Sequence, residues 1–339
     1  MKLSLFDYHL PKKLIAQKPI FPRDHSKLMV QDRKTGKISH HFFYQLPNLI
    51  NDSYILVFNN TKVLPWRIYG KKETGGRVEI LFLRSLKNRI WEILIKSKVK
   101  IGTEIILNRN IKFKILDFED NVFRIKTNAP EKNLEKFLSK NGHTPLPLYI
   151  HSQIPERKAK VWYQSIFAQK LGSVAAPTTS FHFTQNLLKR LKTKNIETIF
   201  ITLHIGFGTF SPIKTKKIED HKIHQELMEI SKNTAHFLNQ KIKESKKILA
   251  VGTTVARALE SATKNGKIIP FKGETKLFIY PPYKFKIVDS LITNLHLPKS
   301  SLLCLVSAFA SRKRIMKAYR EAIAKKYRFY SFGDAMLIL

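Results

Sequence analysis

Between Arg67 and Lys126 apolar and polar residues alternate, as in Val78-Glu79-Ile80-Leu81-Phe82, Trp91-Glu92-Ile93-Leu94-Ile95, Phe113-Lys114-Ile115-Leu116 and Val122-Phe123-Arg124-Ile125. Alternation places every second side chain on one face of a strand. Short runs of this kind, spaced by turn residues, predict a small antiparallel barrel or sandwich. The texture differs on either side. Tyr54 to Phe58 is an unbroken apolar run that reads as a buried strand, and Asn59-Asn60-Thr61 ends it with side chains that favour turns. After the barrel pattern, a helix is expected from Glu131 to Lys140, with Leu134, Phe137 and Leu138 on one face and Asn141-Gly142 as its stop. The polar, basic segment His151 to Lys160 reads as a mobile loop. Beyond it the pattern becomes αβ: Leu187, Leu188 and Leu191 share a helix face, a strand follows from Thr198 to Leu203, and a second runs from Ile248 to Val251. That second strand turns at Gly252 into a helix from Ala256 to Thr263, with Thr253 or Thr254 placed to cap it. Leu277 to Tyr280 and Leu291 to Thr293 are further expected strands, and Pro298 is expected to open a helix. The chain therefore reads as a main α/β domain formed by both chain ends, residues 1–65 and 151–339, with a small antiparallel β-barrel domain inserted at 66–150.

Charge sharpens this picture. Lys and Arg number 61 against 25 Asp and Glu, a net charge of +36. Such a surface attracts phosphate backbones, although a lysine-rich surface with no ligand has the same composition. The one cysteine, Cys304, excludes an intramolecular disulfide and a Cys-rich zinc site, as a reducing cytoplasm would allow. Asp7 and Lys12-Lys13 interrupt any leader-like apolar segment, and the longest apolar run, Leu302 to Ala310, is too short to span a bilayer. A soluble, cytoplasmic, monomeric protein is expected.

Candidate chemistry gathers where the expected strands end: Asn60-Thr61, His204, Thr253-Thr254 and Asn294 to His296. In open α/β sheets this is where ligands sit. Gly206-Phe207-Gly208 begins like a dinucleotide fingerprint, but Ser211 stands where a third small residue is needed, so that reading is rejected. The Gly252-Thr253-Thr254 turn at a helix start, with Arg257 on the first turn, could hold a carboxylate or phosphate, or could be a plain capped helix. Asp220-His221, His224 and Glu226 form a dense titratable group. Its spacing does not fit a metal site, so general acid/base work or a solvated helix start are the alternatives.

These segments resemble one family. Phe6-Asp7-Tyr8 with Leu10-Pro11, Val57-Phe58-Asn59-Asn60-Thr61-Lys62-Val63, Thr74-Gly75-Gly76, and Gly142-His143 with Pro145-Leu146-Pro147 carry the first half. Gly172 to Thr178 with His182-Phe183, Thr202 to Phe210, Ile218 to His221, Val251 to Thr254 with Arg257, Phe278 to Pro281, Thr293-Asn294 with His296-Leu297-Pro298, and Gly333 to Met336 carry the second. Together they are similar to the S-adenosylmethionine:tRNA ribosyltransferase-isomerases of queuosine formation. The resemblance implies that the ribosyl part of S-adenosylmethionine is transferred to 7-aminomethyl-7-deazaguanine at the wobble position of a tRNA with a GUN anticodon. Epoxyqueuosine, adenine and methionine are the implied products, and no metal is expected. It points to Thr178, His182, Gly206, Gly208, Thr253, Thr254, Arg257 and Tyr280 for the co-substrate, with Phe207 or Tyr280 offering a ring to the sulfonium. The acid and base are expected among His204, His221, His224 and Glu226. Arg67, Lys71, Lys72 and Arg77, leading into the barrel, are the expected phosphate contacts, or else are merely solvated. Several positions depart from the family pattern: Thr179-Ser180-Phe181 replaces Ala-Gly-Leu, Phe207 and Trp66 each replace Ala, and Pro282 and Ser311 each replace Gly. Each should enlarge a tight place, and Ser180 is expected to be strained or to narrow the pocket. The alternatives are a tRNA-anticodon binder that has lost turnover and, with less support, a methyltransferase.

Overall fold

The computed structural model describes residues 1–119, 121–206 and 213–339. Its main sheet has the strand order Phe271–Thr275, Glu226–Ile230, Glu197–Leu203, Tyr54–Asn59, Lys247–Val251, Ser290–Asn294, Ala335–Ile338, Lys27–Gln31 and Ile38–Phe42. The four strands from Glu197–Leu203 to Ser290–Asn294 run parallel, so their carboxyl ends share one edge. The apolar run in Tyr54–Asn59 has a direct cause. Ile55 and Val57 enter the core on one face of the sheet, while Leu56 and Phe58 enter the core on the other. A strand covered on both faces cannot alternate. Helices Thr253–Ser261, Ser301–Ala310 and Arg312–Ala324 supply the first core, and Leu187 and Leu191 of helix Gln185–Thr193 supply the second.

Six strands close into the barrel in the order Val122–Thr127, Ile90–Ile95, Arg77–Ser85, Arg67–Lys72, Glu104–Ile106 and Lys112–Glu119, the last pairing back to the first. The alternating residues point inward as expected: Val78, Ile80, Phe82, Trp91, Ile93, Phe113 and Ile115 fill the barrel, and Leu134 and Leu138 of helix Glu131–Asn141 close it. Burial of such side chains contributes about 1.5–3 kcal/mol each. Arg84 ties the barrel to the sheet, bonding Glu92 on its own barrel and Glu274 on the edge strand Phe271–Thr275.

Four local expectations change. His151 to Lys160 is not all loop, because helix Glu156–Trp162 begins in this region, runs past its end and buries Ala159. Leu277 to Tyr280 is not a strand; the strand is Phe271–Thr275, and the carbonyls of Thr275 and Leu277 accept hydrogen bonds from Arg257 instead of continuing a ladder. The helix after Gly252 starts at Thr253 and ends at Ser261, with Gly252 itself as N-cap at φ 100° and no side-chain cap from either threonine. The helix expected at Pro298 spans Ser301–Ala310, because the Ser300 hydroxyl accepts from the Leu303 N–H at 3.2 Å and defines the start. No described helix is long and apolar enough to cross a membrane.

Candidate active site

The carboxyl edge of the parallel strands is built by side chains that tie strand ends together. Asn59 Oδ1 accepts from the N–H groups of Thr61 and Leu203, each at 3.1 Å, and its Nδ2 donates to the Leu203 carbonyl at 2.9 Å. Asn60 Oδ1 accepts from Thr202 Oγ1 at 2.7 Å. The Asn-Asn-Thr sequence therefore does more than turn the chain, since it fixes the spacing of two neighbouring strands. Glu226 reaches the same edge because its strand runs antiparallel to Glu197–Leu203 and so begins where that strand ends.

Two recesses open along this edge. The first, a solvent-open space of ≈ 470 Å³, is lined by Ala176, Pro177, Thr178, Thr179, Ile205, Gly252 to Thr254, Asn294, His296, Leu302, Tyr330 and Ser331. The second, of ≈ 440 Å³, is lined by Ile223, His224, Glu226, Thr253, Thr254, Arg257, Leu277 to Ile279, Ser301, Leu302 and Leu305. Thr253, Thr254 and Leu302 wall both, so the start of helix Thr253–Ser261 stands between them. That helix start carries no side-chain cap, and Thr253 and Thr254 of its first turn line both recesses. Asn294 organises the first recess: its Oδ1 accepts from Thr179 Oγ1 at 3.0 Å and Thr178 Oγ1 at 3.3 Å, while its Nδ2 donates to the Tyr330 carbonyl at 3.0 Å.

A buried ion pair organises the second recess. Glu226 and Arg257 bond side chain to side chain, and Glu226 Oε1 also accepts the Gly206 N–H at 3.1 Å. Arg257 Nε donates to the Leu277 carbonyl at 2.8 Å, and its Nη2 donates to the carbonyls of His224 at 3.1 Å and Thr275 at 3.2 Å. The guanidinium thus braces the recess wall through protein groups while Arg257, expected from the sequence to serve the co-substrate, lines that recess. His224 is held by its backbone to this brace and lines the recess. His221 sits edge-on to Phe278 at 5.4 Å, and Phe278 packs against Tyr280 at 4.9 Å, so these rings form a wall beside the second recess. Burial, with the nearby His224, holds the His221 imidazole below its ordinary pKa and favours the neutral base.

The other expected residues are placed differently. His204 lines neither recess; its Nδ1 lies 2.7 Å from Thr61 Oγ1, and its ring covers Gly172, where φ is +142° and an added Cβ would come within 2.8 Å of the imidazole. Burial pushes its pKa down as well. His182 is packed inside, 2.7 Å from Ser26 Oγ and stacked on Phe43 at 4.9 Å, and burial depresses it to about 3. It holds the core behind the first recess. Gly208 and Phe207 lie outside the described residues. Ser180 is fully buried with a normal backbone and does not line either recess, so the expected strain is absent, but its hydroxyl has no partner. Strain falls instead at Ser311, whose φ of 65° with ψ of 140° is glycine-like, between helices Ser301–Ala310 and Arg312–Ala324. Arg67, Lys71, Lys72 and Arg77 share the first barrel hairpin. Lys71 and Arg77 are exposed, Lys72 Nζ donates to the Lys98 carbonyl at 2.6 Å, and Arg67 Nε is buried. Sequence reasoning missed Ser331 and Tyr330, which reach the first recess from the far end of the chain with no local signal. It also missed Ser301, Leu302 and Leu305, whose places in a largely apolar helix hide the positions that line the recesses.

The chain is similar along its whole length to curated relatives. It is 48% identical over 342 residues to the S-adenosylmethionine:tRNA ribosyltransferase-isomerase of Sulfurihydrogenibium sp. (strain YO3AOP1), covering all of both chains. It is 47% identical over 341 residues to the same-named protein of Aquifex aeolicus, again with complete coverage of both. The crystal structure of S-adenosylmethionine tRNA ribosyltransferase from Thermotoga maritima superposes with a TM-score of 0.58 at 35% identity, covering 99% of this chain and 100% of that one. The model of the queuosine biosynthesis protein family matches residues 3–338, and the chain belongs to that family.

Proposed function

We propose that this protein transfers and isomerises the ribosyl part of S-adenosylmethionine onto 7-aminomethyl-7-deazaguanine at the wobble position of tRNA, releasing adenine and methionine and leaving epoxyqueuosine. The observation that carries the reading is full-length identity of 47–48% to relatives named for this activity. Supporting it, two recesses share a wall at the carboxyl edge of a parallel sheet. The chemistry needs a base for the C5′ hydrogen that the sulfonium acidifies, a proton for departing adenine, and a neutral aminomethyl nucleophile. His224 is the first candidate for proton transfer, since it lines the second recess beside the Glu226–Arg257 brace. The neutral His221 follows, and His204 stands behind them. Thr178, Thr253, Thr254 and the uncapped helix start suit the polar groups of the co-substrate, and the Phe278 and Tyr280 rings suit its sulfonium. Residues 66–150 act as an inserted domain whose Lys71 and Arg77 meet phosphate of a tRNA with a GUN anticodon, in the cytoplasm.

The test is incubation with S-adenosylmethionine and an anticodon stem-loop carrying 7-aminomethyl-7-deazaguanine, following adenine and nucleoside mass by chromatography. Adenine matched by an epoxyqueuosine mass is expected. Tight RNA binding with neither product would reduce the protein to an anticodon binder, and a methylated nucleoside would make it a methyltransferase. His224→Ala should lower turnover about 10²–10⁴-fold if it transfers the proton.

A further inference from the structure

A strip of rings and cations leads from the barrel to the first recess. At its barrel end the Arg77 guanidinium lies 4.0 Å above the Tyr69 ring, and Tyr69 meets His143 edge-on at 5.8 Å. His143 Nδ1 is 3.5 Å from Glu156 Oε2, and Thr144 fixes the other carboxylate oxygen through its N–H at 2.9 Å and its hydroxyl at 2.7 Å. Glu156 begins helix Glu156–Trp162, whose Arg157, Lys158 and Lys160 are exposed. The helix ends at Trp162, where Lys158 Nζ stands 5.9 Å from the ring, Phe21 packs at 6.1 Å, and the Trp162 carbonyl accepts from Arg23 Nη2 at 2.8 Å. Phe21 is 58% exposed, an unusual position for so large a ring. Trp162 then reaches Phe332 at 6.5 Å, next in sequence to Ser331 and Tyr330 of the recess wall.

Resting on the tRNA reading above, we infer that this strip, centred on Phe21, Lys158 and Trp162, is the path along which the unpaired strand of the anticodon loop is led into the recess. A nucleobase can enter the recess only after leaving its stack, so the neighbouring nucleotides are single-stranded. The exposed Phe21 and half-buried Trp162 rings, interleaved with cations, fit that ligand, because unpaired bases stack on the rings while Lys and Arg follow the phosphates. The helix is pinned at both ends, by Glu156 to the barrel exit and by Arg23 to the sheet side, so the platform is set before RNA arrives.

Trp66 and Trp91 are buried, which makes Trp162 the accessible one of the chain's three tryptophans and a built-in reporter. Titration with the anticodon stem-loop should quench tryptophan fluorescence, and Trp162→Phe, which keeps a ring and the fold, should abolish the quench. Phe21→Ala with Trp162→Ala should weaken binding about tenfold, the effect falling on KM for RNA and not on kcat. A blunt duplex of the same charge should leave the fluorescence unchanged. Wild-type binding without quench, equal quench by the duplex, or unweakened binding by the double variant at the same salt would overturn the inference. The two readings fail separately. Quench by the loop with no adenine released removes the activity and keeps the surface, whereas adenine release by wild type and double variant alike at limiting RNA does the reverse.

Discussion

The barrel and the parallel sheet solve different problems with the same kinds of residue. In the barrel, most neighbouring strands are hairpin partners, such as Arg67–Lys72 with Arg77–Ser85 and Lys112–Glu119 with Val122–Thr127, and the inward side chains fill the interior. In the sheet, neighbours come from distant parts of the chain: Tyr54–Asn59 lies between Glu197–Leu203 and Lys247–Val251. Its strands end in polar residues, of which Asn294 and Glu226 line the recesses, and its polar groups are held by their neighbours: Asn59 by Leu203, Asn294 by Thr179, and Glu226 by Arg257. Local pairing makes a stable block with no site inside it, and distant pairing gathers chemistry at a strand edge.

The largest effect that would break this contrast is loss of one half of the buried pair. Arg257→Met should cost about 3–5 kcal/mol in urea unfolding and abolish adenine release, because a buried carboxylate is left without its cation. Adding Glu226→Gln should recover part of the stability but not the activity. Unchanged stability of the single variant would show that the recess is not braced as described. Phe82→Ala, in the barrel centre, should cost a similar ~3–5 kcal/mol, but the loss should appear as faster amide exchange in the barrel strands with protection kept in the central sheet strands. Exchange rising equally in both would mean that the two regions unfold as one.

Acid should act on the sheet side first. Burial depresses His182 and His296 to about 3, so each is neutral when folded and protonates at ordinary pH when unfolded. Below about pH 6.5 the unfolded chain binds more protons, and stability falls as pH drops from there toward 3. Their contribution is complete above pH 6.5. Chemical unfolding midpoints at stepped pH should fall less steeply for His182→Gln than for wild type, and parallel slopes would contradict the assignment. The smallest expected change is a gain. Ser311→Gly removes a side chain from a positive-φ junction and should raise stability by ~1 kcal/mol without altering turnover.

Strand and barrel patterns were legible because they depend on which faces of a strand are covered. Alternation between Arg67 and Lys126 marked the barrel, and the solid apolar run at Tyr54 to Phe58 marked a strand covered on both sides. The short-range errors arose where a distant group decided the local outcome. Arg257 takes the carbonyls of Thr275 and Leu277, so the expected strand at Leu277 to Tyr280 does not form. Within the site, Thr178, Thr253, Thr254, His224 and Glu226 were readable as strand-end and turn residues, and they do line the recesses. The orientation of His204 and the burial of His182 were not readable, because a strand-end residue points to either face according to what packs there. The sequence by itself determined the periodicities, the charge and the residue types at the strand ends, since these follow from local geometry and composition. Only the tertiary structure decided which of those residues share a recess, that Arg257 serves Glu226, and that Tyr330 and Ser331 complete a wall begun at Ala176. Those choices depend on contacts between segments far apart in the chain, 31 residues for Arg257 with Glu226 and 36 for Asn294 with Tyr330, for which no local pattern exists.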